Sequence, residues 1–463
     1  MCSIQVARGD ANLIVEVMDW DSLAAMIDDR TDVGQFSVNR AVFTDQGVFD
    51  LEMRHIFEGG WVFLGHASQA PNLHDYFTTT IGRTPVVVMR DKTGALATFV
   101  NSCPHRGATI CHLRQGTGKL HVCRYHSWTF DSAGQSKGIK WEKAGAYPDD
   151  FEQRDRGLLA LPAFADYRGF LFGSLVPTVS IEEHLGEARH LLDLAADQGD
   201  DGLELVPGEV IFTYDANWKI QLENCSDAYH FTSAHPSYLR ILEKRAEAPR
   251  ANAVKSVWEN DKNWSEESEG ITGGSFSFDG GHVLNWGRIG ISDAVPLFEC
   301  AELLAERHGE AKRDWMFNMR NLTIFPNMQI AENASSQLRI FRPIAPGKTE
   351  MRTFCIAPKG ESKQARRQRI RNYEDFFNPT GMATPDDTVS YEDCQDGHNS
   401  RIDRPLLGYS RGMSARATGG NMFSDALPMQ PADNVLGGAT LCDETLFHNY
   451  YRAWLSRLKA GMA

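Results

Sequence analysis

Four residues in two short segments make the first chemical case. The chain reads Cys103-Pro-His105-Arg-Gly and, with seventeen residues between His105 and Cys123, Cys123-Arg-Tyr-His126-Ser-Trp. Two thiolates and two imidazoles suit zinc or a [2Fe–2S] cluster. A structural zinc usually takes its ligands as Cys–Cys or His–His knuckles. Here each loop supplies one Cys and one His. That order suits a two-iron cluster with both thiolates on one iron and both imidazoles on the other. Replacing two thiolates by neutral His raises the reduction potential, so such a centre can pass electrons to a second site. A zinc ribbon is the alternative. Cys111, His112 and His121 lie between the loops and read as packing or surface residues. Gly116-Thr-Gly118-Lys119 has the wrong spacing for a phosphate loop and reads as a turn.

A second constellation follows at Asn217-Trp-Lys-Ile-Gln-Leu-Glu223-Asn224-Cys225-Ser-Asp227-Ala-Tyr-His230-Phe231-Thr-Ser-Ala-His235-Pro. Asp227 and His230, three apart, are neighbours on one face if the segment is helical. The carboxylate can then accept the imidazole N–H and fix its tautomer, as outer partners of metal-bound histidines do. His235 lies five residues past His230, a rotation of about 140° on an ideal helix. Pro236 disfavours helical geometry at His235. The helix is therefore expected to end or distort between the two rings, so that both face one metal. Two histidines alone would read as one core and one surface residue. Two histidines with a carboxylate and open positions are the ligand set of non-haem Fe(II) oxygen chemistry. The carboxylate can come from far along the chain. Asp386-Asp387, after the breaker-rich Gly381-Met-Ala-Thr-Pro, is the candidate pair. The residues themselves leave open which member binds, and Asp386 also reads as a helix N-terminal carboxylate.

Two kinds of scaffold must hold these groups. Residues 1 to about 57 read as helical and mixed, with Phe49, Met53, Ile56 and Phe57 on one face. From Trp61, short apolar runs alternate with turn signals such as Asp91-Lys-Thr-Gly and Asp131-Ser-Ala-Gly, the texture of a small β domain. It ends with the strand Gly169-Phe-Leu-Phe-Gly-Ser-Leu. Residues 178 to about 200 read as helix, with Leu185, Ala188, Leu191 and Leu192 on one face. Beyond Pro207 strands and helices mix. Ser336-Gln-Leu-Arg-Ile-Phe-Arg and Met351-Arg-Thr-Phe-Cys-Ile-Ala fit an antiparallel sheet. A charged helix over 363–377 begins with a basic stretch that reads as a solvated face. There is no internal repeat and no low-complexity segment.

The bulk properties set limits. With 463 residues, two or three domains are expected. A net charge of -14 makes nucleic acid and anionic membranes poor partners through the overall field. No run approaches the roughly 18 apolar residues that span a bilayer, and the first residues lack a signal-peptide pattern. Nine scattered cysteines are no disulfide framework, so a cytoplasmic, reduced protein is expected. The Asn-x-Ser/Thr sequences at Asn263, Asn321 and Asn333 then carry no glycan. Between 101 and 143 Arg106, Arg114, Lys119, Arg124, Lys137, Lys140 and Lys143 outnumber Asp131 and Glu142. That local basic bias suits either the steering of an acidic electron donor or a solvated or subunit-facing surface.

The motifs carry a resemblance. Cys103-Pro-His105-Arg-Gly107 through Cys123-x-Tyr-His126-x-Trp128 resembles the cluster-binding loops of the Rieske family. Longer stretches extend the likeness to the large subunit of Rieske aromatic-ring-hydroxylating oxygenases, most of all the benzoate, toluate and anthranilate dioxygenase branch. They are Leu51-Glu-Met-x-His-Ile-Phe-Glu58, Asp75-Tyr-Phe-Thr-Thr-x-Ile-Gly-Arg83-x-Pro85, Tyr167-Arg-Gly-Phe-Leu-Phe-Gly-Ser-Leu175 and Tyr373-Glu-Asp-Phe-Phe-Asn378-x-x-Gly-Met-Ala-Thr-Pro-Asp-Asp387. There are departures. Cys225-Ser-Asp-Ala228 stands where that branch usually has small glycines, Arg124 where Pro is common and Ser127 where Gly is common. The match weakens after about residue 400.

The resemblance implies an α+β chain: a helical segment over 1–57 packing on the catalytic domain, an all-β Rieske [2Fe–2S] domain over 58–177, and an antiparallel-sheet α+β catalytic domain of helix-grip, START-like type over 178–463. By the same resemblance Cys103 and Cys123 hold one cluster iron and His105 and His126 the other. His230, His235 and Asp387 hold a mononuclear Fe(II). Asp227 is the catalytic bridge, bonded to His230 and to His126 of the partner subunit in a trimer. Asn224, Cys225 and Phe231 line the substrate pocket. The implied reaction uses O2 and electrons from NADH, delivered by a flavin/iron–sulfur reductase or a ferredoxin, to dihydroxylate an aromatic carboxylic acid. A monohydroxylating or dealkylating oxygenase of aryl-acetic, aryloxyacetic or hydroxybenzoic acids shares those ligands. A Rieske electron carrier and a zinc-stabilised binding protein are the other classes. The implied assembly is α3β3 with a small β subunit, or α3. Arg320, Arg339 and Arg342 are among the residues that could meet a substrate carboxylate, and the sequence does not choose between them.

Overall fold

Turn chemistry organises the first half of the chain. Asp91 Oδ1 accepts the N–H groups of Thr93 and Ala95, closing the hairpin between strands Thr84–Arg90 and Leu96–Val100. Asp131 does the same for Ala133 and Gln135 between Thr129–Asp131 and Ser136–Gly138. The computed structural model describes residues 4–5, 14–15, 19–145, 147–247, 271–293, 295–333, 335–400, 406–437 and 442–462. Between 61 and 174 it contains three small antiparallel sheets. One runs in the order 96–100, 84–90, 75–81, 115–117, and a second joins 120–122, 129–131 and 136–138. The third places Phe170–Ser174 between Ala163–Tyr167 and Trp61–His66. Gly116-Thr-Gly118 is no simple turn: Gln115–Thr117 pairs with Asp75–Phe77, and the chain bends only after Thr117. A strand edge needing partners wins there over the local glycines.

The second half is built on a nine-stranded antiparallel sheet. Its order is 203–214, 348–358, 336–345, 328–332, 319–324, 283–287, 273–277, 433–437, 416–418. Period-2 alternation gives it two different faces. Leu322, Ile324, Ile330, Leu338, Ile340, Phe354 and Ile356 join one apolar core with Trp286. That core also takes in Phe63 and Phe172 of the first half and Leu185, Ala188, Leu191 and Leu192. Leu185 closes the short helix Ile181–Leu185, Ala188 lies in the 3-10 turn Gly186–Ala188, and Leu191 and Leu192 belong to helix Arg189–Ala196. The opposite face carries Thr323, Gln329, Gln337 and Thr353, whose side chains reach the elements that roof it.

Three elements form that roof. Helix Trp218–Ser226 lies over Thr323 and Gln329. Helix Lys363–Phe376, capped by Ser362, buries Ala365, Arg369, Tyr373 and Phe376. Its basic start is therefore only partly a solvated face. Arg369 is 1% exposed because Glu361 pairs with its Nε at 2.9 Å. Helix Thr384–His398 follows.

The N-terminal segment departs from the helical expectation. Helices Trp20–Ala24 and Gln46–Glu52 are present, and Phe49, Met53, Ile56 and Phe57 are buried. Between those helices Ile27–Arg30 and Gln35–Asn39 are strands, in one sheet with Leu406–Gly408. Phe36 and Val38 alternate into the core at 0% exposure, and one of the strand's two partners lies far along the chain. The C-terminal helix Leu446–Met462 buries Tyr450, Tyr451, Trp454 and Leu458 against the same segment. Buried Glu52 ties them together. It accepts hydrogen bonds from Lys219 Nζ at 2.6 Å and from the indoles of Trp218 and Trp454, both at 2.8 Å.

Candidate metal centres

The two Cys/His loops are built alike. In the first, the Gly107 N–H donates to Cys103 O at 2.8 Å, with Gly107 at φ +75°. In the second, the Ser127 N–H donates to Cys123 O at 2.9 Å, with Ser127 at φ +61°. Each tight turn requires the left-handed region, so glycine suits both positions and Ser127 carries strain. Asn101 pins the first loop, accepting the N–H groups of Ile110 and Cys111 and donating to Cys111 O. Cys103 and Cys123 are buried, while His105 is exposed and His126 half-buried. The imidazole centroids are 4.5 Å apart, and Trp128 stacks on His105 at 5.0 Å.

The donors thus separate into an inner sulfur pair and an outer nitrogen pair. The two imidazoles stand side by side at the surface, with the two sulfurs buried beneath. A pair of thiols and a separate pair of imidazoles is the donor set of a two-iron cluster with mixed ligands. Cys111 and His121 sit in the interior behind the loops, with Sγ and Nδ1 3.5 Å apart, and His112 is exposed. Every basic residue from Arg106 to Lys143 named above is exposed, although Lys137 pairs with Asp131 and Arg114 with Glu209.

The second centre begins where helix Trp218–Ser226 stops. Asp227 has an extended backbone at φ -96°, ψ 114°. It is therefore not on one helix face with His230, and the helical-neighbour argument fails in its detail. The contact forms by a turn. Asp227 Oδ1 accepts the Tyr229 N–H at 2.6 Å, and this brings Oδ2 to 3.2 Å from His230 Nδ1. The chain then makes the short helix Phe231–Ala234 and breaks again at His235, φ -109°, ψ 37°, before Pro236 opens the next helix. Two breaks rather than one turn both rings inward.

Asp387, in the first turn of helix Thr384–His398, meets them. Its Oδ1 lies 3.4 Å from His230 Nε2 and 3.2 Å from His235 Nε2, and the three donor atoms lie within 4.8 Å of one another. His235 and Asp387 are buried at 2% and 8% exposure. Asp386 Oδ2 stands 3.3 Å from His235 Nδ1, as Asp227 stands to His230. Each imidazole thus has one nitrogen turned to the centre and the other to a carboxylate. Burial opposes charge on His230, but the hydrogen bonds to Asp227 and Asp387 push its pKa up to about 10. Burial likewise works against ionised Asp387, and the two imidazoles still hold it well below the usual carboxylate range. Three carboxylates around two imidazoles stabilise positive charge here, which fits one divalent cation. Asn224 Nδ2 lies 3.3 Å from His230 Nε2 and donates to Asp387 Oδ1 at 3.2 Å. Cys225 is buried in the adjoining wall, and the Phe231 ring lies 5.7 Å from that of His235.

Residues 192–414 match the ring hydroxylating alpha subunit (catalytic domain) family, and residues 60–149 match the Rieske [2Fe–2S] domain family. Toluate 1,2-dioxygenase subunit alpha of Pseudomonas putida is 39% identical, over 95% of this chain and 94% of its own. This chain belongs to the Rieske ring-hydroxylating oxygenase large subunits. The 2-halobenzoate 1,2-dioxygenase large subunit of Burkholderia cepacia is 38% identical over 93% of this chain and 90% of its own. The anthranilate 1,2-dioxygenase large subunit of Acinetobacter baylyi is 36% identical over 96% and 94%. In solved structures, a naphthalene 1,2-dioxygenase variant bound to phenanthrene superposes with a TM-score of 0.77 at 26% identity, covering 91% of this chain and 92% of that one. The chain is therefore an oxidoreductase of the dioxygenase type, with a [2Fe–2S] cluster and a non-haem iron as cofactors and the large subunit of a multi-component enzyme as its role. None of its described helices is long and apolar enough to cross a membrane.

Sequence reasoning missed several groups around this oxygenase's centre. Asp386 does lie in the first turn of helix Thr384–His398, as its helix-terminal reading has it, and it also faces His235, which that reading does not foresee. Tyr391, one turn past Asp387 on the same helix, donates to Asn224 Oδ1 at 2.6 Å, and its i, i+4 spacing was the available signal. Glu223 accepts from Tyr409 at 3.1 Å and from Tyr451. Both tyrosines lie almost two hundred residues or more along the chain from Glu223, so nothing local announced them. Asn263 lies outside the described residues.

Proposed function

We propose that this oxygenase dihydroxylates the ring of an aromatic carboxylic acid, giving a cis-dihydrodiol. The convergence of His230, His235 and Asp387 at 3.2–3.4 Å carries the reading. The substrate class is supported by relatives named for toluate, 2-halobenzoate and anthranilate that match over nine-tenths of their length. In this reading Cys103 and Cys123 hold one cluster iron, His105 and His126 the other, and His230, His235 and Asp387 the mononuclear Fe(II). The cluster domain is 58–177 and the catalytic domain 178–463, with 1–57 packed on the latter.

The bound metals supply electron storage and oxygen activation. The chain's own groups supply orientation. Asp227 and Asp386 fix the tautomers of His230 and His235, leaving each Nε2 free to ligate. Asn224, held by Tyr391, sets an amide beside the ligand atoms. Cys225 and Phe231 form an apolar wall where a ring can lie. The exposed side of the cluster, at His105 and His126, faces a partner subunit across which Asp227 connects the two centres. The assembly is α3β3 or α3, in the cytoplasm, served by an NADH-linked reductase with or without a ferredoxin.

The test is chemical analysis followed by product identification. Purified protein should hold about three irons and two sulfides per chain, with a Rieske-type signal on reduction. Reconstituted with a reductase and NADH, it should consume O2 with an aromatic acid and release a dihydrodiol. Zinc without sulfide would overturn the ligand assignment. A monohydroxylated or dealkylated product would overturn dihydroxylation while sparing the ligands.

A further inference from the structure

An aromatic acid brings a negative charge into a buried pocket, and one interior arginine is without an anion. Arg339 sits in the middle of strand Ser336–Ala345 at 8% exposure. Its cross-strand neighbours are Gln329 and Thr353, and residues directly opposite each other share a face. Gln329 reaches up to Leu222 O at 3.2 Å, and Thr353 to Asn378 Oδ1 at 2.7 Å. Arg339 therefore projects from the face roofed by the metal-site helix, away from the apolar core of Leu338 and Ile340. The guanidinium carbon lies 5.7 Å from the Phe377 ring. Burial raises the Cys225 thiol, the Arg339 charge lowers it and the Asp387 carboxylate raises it, so all three share one neighbourhood.

Two other arginines of this sheet are neutralised. Arg320 pairs with Glu332 at 2.6 Å and Arg342 with Glu350 at 3.0 Å. Arg339 has no carboxylate partner among the described residues. Its one hydrogen bond there runs from Nε to Gln337 Oε1 at 2.6 Å. Gln337 is itself anchored, donating to Asn378 Oδ1 at 3.2 Å. The Nε contact fixes the plane of the guanidinium and leaves both terminal nitrogens to donate elsewhere. A buried cation without a counter-ion is costly to the fold. A planar fork held by one edge is matched to a carboxylate presented to the other.

We propose that Arg339 is the substrate-binding residue that receives the carboxylate of the aromatic acid, with the ring extending past Cys225 toward His230, His235 and Asp387. This rests on the aromatic-acid reading above and names the group that would select that class.

The test uses the complete oxygenase with its reductase, and Arg339→Gln and Arg339→Lys. The probes are benzoate, phenylacetate and phenoxyacetate, each against its neutral amide. The best-used acid should show a KM at least 100-fold higher in Arg339→Gln, with partial recovery in Arg339→Lys. Preference for acid over amide should collapse. The acid should raise the melting temperature of the parent but not of Arg339→Gln, and the unliganded variant should melt no lower than the parent with full iron. An unchanged KM and an unchanged acid-induced shift would overturn the role of Arg339 while sparing the aromatic-acid reading. A parent that ignores every acid would overturn both. Loss of iron or a much lower melting point in both variants would make Arg339 a structural prop and defeat the proposal.

Discussion

Replacing Asp227 by Asn removes one oxygen acceptor and adds a donor, with almost no change of volume. The carboxylate uses both oxygens: Oδ1 takes the Tyr229 N–H at 2.6 Å, and Oδ2 faces His230 Nδ1 at 3.2 Å. With Nε2 of His230 turned to Asp387 and Asn224, Nδ1 carries the proton. An asparagine can serve one of these donors only. If its oxygen stays on Tyr229, its amino group meets the Nδ1–H donor to donor; if it flips, the Tyr229 N–H is abandoned. Either way one charge-assisted bond is lost, about 1.5–3 kcal/mol. Expressed in a barrier, that is roughly a 10- to 150-fold fall in turnover. The three proposed ligands are untouched, so iron and sulfide content should equal the parent's. The assay has two parts: metal and sulfide counts, then the rate at which the reduced cluster's absorbance recovers when O2 and substrate are added. Parent-like turnover would refute the argument that Asp227 is needed to orient and connect. Loss of the mononuclear iron would refute the claim that it acts behind the ligands.

Other outcomes can be set out together. Asp386→Asn weakens the brace on His235, so iron affinity at the second centre should fall about 10- to 100-fold with the cluster spectrum unchanged; chelator titration measures it, and an unaltered affinity would return Asp386 to a helix-terminal role. Ser127→Gly relieves a left-handed backbone and should stabilise the cluster loops by about 0.5–1 kcal/mol. The midpoint of urea-induced bleaching should rise, and an unmoved midpoint would count against the strain. Burial pushes Glu223 up to about 7 despite hydrogen bonds from Tyr451 and Tyr409. A pKa raised on folding means the folded chain binds that proton more tightly, so the contribution is full below about pH 4 and lost as pH climbs through 7, at most about 3 kcal/mol. Glu223→Gln should therefore flatten the fall in melting temperature between pH 5 and 8, and parallel curves would exclude Glu223 as its source.

Residues whose geometry is set by their own neighbours were legible in the sequence. The Cys103/His105 and Cys123/His126 loops are closed by bonds spanning four residues, and the Asp91 and Asp131 turns by shorter ones. The strands at 336–345 and 348–358 announced themselves by alternation. The break near His235 followed from Pro236, but the second break at Asp227 did not, because an aspartate accepting the N–H two residues on leaves no distinctive composition. Long-range partners were hidden. Asp386 meets His235 only after the sheet and helix Lys363–Phe376 have been laid down between them. Arg339 and Arg342, three residues apart, fall on opposite faces by the strand's period of two, but the sequence does not show that Glu350 stands beside Arg342 and that, among the described residues, no acid pairs with Arg339.

The pairing of Gln35–Asn39 with Leu406–Gly408, and of Glu52 with Trp454, gives the ends of the chain a common seam. On the ribosome the first half of that seam emerges almost a whole chain before the second. Until then Gln35–Asn39 has only Ile27–Arg30 beside it, and Glu52 lacks one of its three donors. Synthesis cut short before Leu406 therefore leaves one edge of that strand unpaired and the Glu52 carboxylate incompletely met, so neither half of the seam is complete until the second half of it is made.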